Sequence, residues 1–89
     1  MDLNAQEIES AIKDKLVEIA DKLDADARSV GSDDIIPATG VLDSAGIFEL
    51  ITWYDLEYGL SLKEDEITID NLGSLRRMAD YALKRKSAP

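Results

Sequence analysis

Ile8, Ile12, Leu16, Ile19 and Leu23 recur at steps of four, four, three and four, which places them in one narrow stripe of a helix. Asn4, with Glu7 three positions later, has the spacing of an N-cap and its box-like partner. The pattern predicts a first helix from about Ala5 to Leu23. The next twenty residues, DADARSVGSDDIIPATGVLD, keep no period, because Gly31, Pro37, Gly40 and clustered Asp and Ser interrupt it. A connection this long in a small domain either carries function or packs through its own apolar residues, here Val30, Ile35, Ile36, Val41 and Leu42.

From Ser44 the helical period returns. Ile47, Leu50, Ile51, Tyr54 and Tyr58 follow i, i+3, i+4, i+7, i+11 and are expected to face the core. Gly59 is placed to end this helix, with Leu60 folding back behind it. With Ile47 at the centre of the core stripe, Ala45, Phe48, Thr52 and Leu56 fall about 100 to 180 degrees away and are expected to look outward. Two placements stay open: Phe48 outward or tucked under the long loop, and Trp53 outward or against the first helix. LSLKEDEITID is short and acidic, with room for one helical turn between Lys63 and Glu66. Asn71 or Ser74 then caps a last helix whose stripe is Leu75, Met78, Ala79 and Ala82. Its basic end, LKRK, complements the helix dipole, which accounts for it without a targeting or nucleic-acid role.

The fold expected is therefore all-α: a bundle of three main helices plus one short helical turn, with a long loop after the first helix. With 89 residues, 45% of them hydrophobic, the chain fits one core, so a single domain over 1–89 is expected, frayed at 1–4 and 86–89. The N-terminal MDLNAQEIES lacks the basic and apolar regions of a signal peptide, and no run approaches a membrane span. A soluble cytoplasmic protein is the expectation.

Chemistry narrows the picture further. Without cysteine there is no disulfide framework or thiolate metal site, and without histidine the commonest general base and neutral metal ligand are missing. Conventional hydrolase and zinc chemistry are disfavoured. The net charge of −9 is unevenly spread: residues 29–62 hold six acids and no Lys or Arg, while five of the last fourteen residues are basic. Such an acidic middle repels nucleic acid and anionic membrane and attracts basic protein surfaces.

Two motifs fail on inspection. Asp24 to Ile35 begins like a calcium loop, but Arg28, Ser29 and Ile35 stand where a ligand, the glycine and the bidentate Glu belong. The nucleophile elbow needs glycine two residues before its serine, and Leu42 is there instead. With no histidine to activate it, Ser44 is not a catalytic nucleophile in its own right.

What remains at Asp43-Ser44 is a helix start, for which either residue is a good cap. Gly46, a poor helix former in a first turn, points to a close approach at that spot. The outward apolar residues, flanked by Glu49 and Asp55, offer a docking face.

Over nearly its whole length the chain resembles the acyl and peptidyl carrier proteins. GVLDSAGIFELITWYDLEYGLSL is similar to that family's modification motif and second helix, whose usual signature is Gly-x-Asp-Ser-Leu, and DNLGSLRRMADYALKRK is similar to its last helix. The spacing here is Gly-x-x-Asp-Ser, and Ala45 replaces the usual leucine. The D-S-x-G variant resembles a subgroup of free-standing bacterial carriers, some of which accept amino acids from ligases similar to class II aminoacyl-tRNA synthetases.

The resemblance implies an acyl-carrier-protein-like bundle that is not an enzyme and is monomeric when free. It implies a 4′-phosphopantetheine arm, attached to Ser44 by a phosphopantetheinyl transferase and carrying an acyl or aminoacyl group as a thioester. It further implies that Asp43 helps hold the transferase's magnesium. Ala45, Phe48, Glu49, Thr52 and Asp55 would then meet the transferase, the loading ligase and downstream acyl-transfer enzymes through their basic docking surfaces. From side-chain bulk, Trp53, Tyr54 and Tyr58 fill the middle of so small a core, so a small cargo such as an amino acid, held outside, is expected over a long fatty chain. The alternative is an acidic helical adaptor that binds a basic protein through Phe48 and Leu56, with Asp43-Ser44 a plain cap.

Overall fold

The Asn4 side chain accepts the amide of Glu7 at 2.8 Å, and from this cap α1 runs over Ala5–Lys22. A computed structural model describes residues 4–87. The fraying expected at 1–3 and 88–89 lies outside them, whereas Asn4 is a formed cap and Lys86 lies within the last helix. Ile8, Ile12, Leu16 and Ile19 are buried as their spacing requires, joined by Ala20. Leu23 departs from the stripe. It is the C-cap residue, and it is 44% exposed.

The long connection packs as well as turns. Ala27, Val30, Ile36 and Leu42 are buried, and the Lys13 ammonium donates to the carbonyls of Arg28 and Val30. Within it lies a short helix, α2, over Ile36–Thr39, which carries Pro37 in its first turn and stops at Gly40, left-handed at φ 74°. Two backbone bonds fasten this region to the far end of the chain: Ile36 N–H to Gly73 O at 2.8 Å and Arg76 N–H to Ser32 O at 3.0 Å.

α3 spans Ser44–Tyr58 and ends at left-handed Gly59. Leu50, Tyr54 and Tyr58 are buried, and the Tyr54 hydroxyl donates to Met78 O at 2.8 Å. Tyr54 and Tyr58 thus occupy the core, while Trp53 is half-buried beside it and meets Tyr58 edge-on. A 3-10 turn at Glu64–Glu66 matches the expected helical turn. It is followed by a four-residue helix, α4, over Ile69–Leu72, capped by Thr68, and by α5 over Leu75–Ser87. Of the two candidate caps for the last helix, Ser74 holds the place, accepting the Arg77 amide at 3.2 Å. Asn71 belongs to α4, and its side chain donates to Glu66 O. α1 packs against α3 and α5, and α4 against α5. The fold is all-helical, as expected, with two short helices beyond those read from the sequence.

Candidate functional site

Asp43, in extended conformation at ψ −177°, turns the chain into α3 and accepts the Gly46 amide on Oδ1 at 2.8 Å. The cap is therefore Asp43. Ser44 is left as the first helical residue, exposed, with no hydrogen-bond partner for its hydroxyl among the described residues. Ile47 N–H makes the first intrahelical bond, to Asp43 O, so the amides of Ser44 and Ala45 stand at the open end of the helix. Such an end attracts negative charge.

Gly46 explains itself by contact. A Cβ there would lie 3.1 Å from Leu23 Cδ1 and 3.2 Å from Leu42 Cβ. The close approach is thus internal: the loop and the end of α1 press on the first turn of α3.

The outward residues stand where the period put them. Ala45 and Thr52 are exposed, and Phe48 and Leu56 are 73% and 78% exposed. Phe48 does not tuck under the loop. The two acids of this face are less free than the sequence suggests. Glu49 pairs with Lys22 at 2.7 Å, which holds the lysine ammonium above its ordinary range. Asp55 is half-buried and accepts the Leu62 amide at 3.2 Å, fixing the segment after Gly59.

One feature escaped sequence reading. An apolar cavity of about 180 Å³ lies between α2, α3 and the 67–73 segment. Its floor is Ile36, Leu50, Leu72 and Met78, all buried, and its lips are Ile67 and Ile69. The only sequence signal is a pair of isoleucines, with one threonine between them, in an otherwise acidic stretch.

Glu66 organises the adjoining turn. Its carboxylate accepts the Lys63 amide at 2.8 Å, the Tyr81 hydroxyl and the Arg85 guanidinium, and Arg85 also donates to Leu60 O at 2.6 Å. These donors, the Lys63 amide foremost, hold its carboxyl below the usual glutamate range. No described helix is long and apolar enough to cross a membrane. No family model, characterised protein or solved structure matches the chain.

Proposed function

We propose that this chain is a carrier protein, not itself an enzyme, which holds an acyl or aminoacyl group on a 4′-phosphopantetheine arm attached to Ser44. The observation that carries the reading is the Ser44 hydroxyl. It is exposed at the mouth of a fifteen-residue helix, relieved of capping by its neighbour. The residues present fit the group: open amides of the first turn favour a phosphodiester, and small Ala45 beside the hydroxyl leaves room for a modifying protein. When bound, the arm supplies the thiol that the sequence lacks.

Ser44 Oγ forms the new bond to phosphorus as the pyrophosphate link of coenzyme A breaks and its nucleotide part leaves. The hydroxyl proton goes to a base of the transferase, since no histidine of this chain can take it. Asp43 accepts the Gly46 amide on Oδ1, and the rest of its carboxylate would help hold the transferase's magnesium. Ala45, Phe48 and Thr52 form the face met by transferase, loading ligase and downstream enzymes, with Glu49 and Asp55 at its edge. Coexpression with a phosphopantetheinyl transferase should add one phosphopantetheine mass, and Ser44→Ala should abolish the addition.

A second reading, an acidic adaptor for a basic protein, is favoured by the exposure of Phe48 and Leu56. It parts from the first at Ser44→Ala, which an adaptor tolerates with undiminished binding.

A further inference from the structure

The two carboxylates nearest Ser44 in the sequence are both engaged by the chain itself. Asp43 holds the Gly46 amide. Glu49, about 7.5 Å along the helix axis from the serine at about 1.5 Å per residue, is paired with Lys22, whose Nζ donates to Oε2 at 2.7 Å. The other acids of α3 stand further off: Asp55 is half-buried on the Leu62 amide, and Glu57 lies at the far end of the helix.

The cation on Glu49 comes from outside its own region. Residues 29–62 hold no Lys or Arg, so a base that meets α3 must reach it from another element. Among the described residues Lys22, in the last turn of α1, is the base that forms an ion pair with α3. Glu18, one turn earlier on α1, is already taken by Lys15 at 2.6 Å, which leaves Lys22 to Glu49. The pair crosses from α1 to α3 beside Phe48, and both side chains stay open to an approaching protein, Lys22 at 57% and Glu49 at 44% exposure. So exposed a pair is weak enough for a second cation to contest.

Resting on the carrier reading, we infer that Lys22 is a specificity-determining residue, an internal cation that competes for Glu49 with the Arg or Lys of an enzyme docking at Ser44. An enzyme that places a base opposite Glu49 meets a carboxylate already neutralised and an ammonium that repels it. An enzyme that meets the chain through Phe48 alone leaves the pair undisturbed. Lys22 thereby disfavours partners that dock by charge and spares those that dock by apolar contact.

The test follows transfer of phosphopantetheine from coenzyme A to the full chain by a phosphopantetheinyl transferase. It yields kcat and KM for the protein at ionic strengths of about 0.01 M and about 1 M, where the Debye length falls from about 30 Å to about 3 Å. At the lower salt Lys22→Gln should reduce KM about two- to fivefold, the range for an exposed ion pair, with kcat unchanged. Lys22→Arg, which keeps the pair, should retain the parent KM. The gain should vanish at the higher salt and in the Lys22→Gln/Glu49→Gln double variant. Lys84→Gln removes the same unit of charge from α5 and should give a smaller gain. A KM unmoved by Lys22→Gln, a gain that survives the loss of Glu49, or an equal gain from Lys84→Gln overturns the inference while leaving the carrier reading intact. A Lys22→Gln variant that melts in urea with the parent yet shows a raised KM makes the lysine a docking contact in its own right, which overturns it too. Failure of Ser44 to take the arm in every variant, parent included, sinks both.

Discussion

Asp43 Oδ1 stands 2.8 Å from the Gly46 amide, and through that bond the aspartate, not the adjacent Ser44, satisfies the start of α3. Two neighbouring residues that are interchangeable as caps on paper have separate duties in the fold. Asp43→Ala should cost about 1 kcal/mol, and Asp43→Asn should restore most of it. Ser44→Ala should leave stability within about 0.5 kcal/mol of the parent, because the hydroxyl makes no bond that folding depends on. Urea melts of the three variants check the division, and a Ser44→Ala loss as large as that of Asp43→Ala would contradict it.

Gly73 is the position least able to accept a side chain. A Cβ there would lie 2.4 Å from Ile69 O and 2.7 Å from Ile69 Cγ2, and the first of these is backbone that cannot swing away. Gly73→Ala should therefore destabilise by about 1–3 kcal/mol, the range for overpacking a close-fitted site, and lower the thermal midpoint accordingly. Its φ of −76° suits any residue, so the loss measures crowding alone.

The Glu66 hub gives the fold an acid limb. Because folding holds this carboxyl below its ordinary 4.5, its contribution is complete above that pH and is lost as the pH falls through the lower folded value. Stability profiles from neutral pH to pH about 3 should be flatter for Glu66→Gln than for the parent. Coincident slopes would remove Glu66 as a source of the acid sensitivity.

Phe48 separates surface function from stability. At 73% exposure it contributes little to the core, so Phe48→Ala should shift the melt by less than about 0.5 kcal/mol. Modification of Ser44 by the transferase should nonetheless slow, since the ring stands one helical turn from the serine on the outward face. An unchanged rate would assign the ring no part in docking.

The long helices were legible because eighteen, fifteen and thirteen residues give a period room to repeat. The Asn4 cap was legible too, and Ser74 was one of two candidates for the last helix. Ile36–Thr39 was not, because four residues show no period, and Pro37, which reads as a breaker, works here in a first turn. Asn71 could not be told from a cap, since the decisive partner, Glu66 O, is set by how the turn folds. Ser44 was visible as a candidate, but its freedom from capping depended on which of two adjacent oxygens reached the Gly46 amide. The cavity was hidden for a different reason: its walls come from four separate segments, and a void leaves no mark on any one of them.

The pair of backbone bonds between 32–36 and 73–76 bears on how little of this chain can stand alone. Any excised fragment that keeps Ser44 but stops short of Arg76 retains the serine and forfeits at least half of the clasp that seats α2. The smallest autonomous unit is therefore close to the entire domain, and a minimal peptide spanning GVLDSAG would present the serine without the architecture behind it.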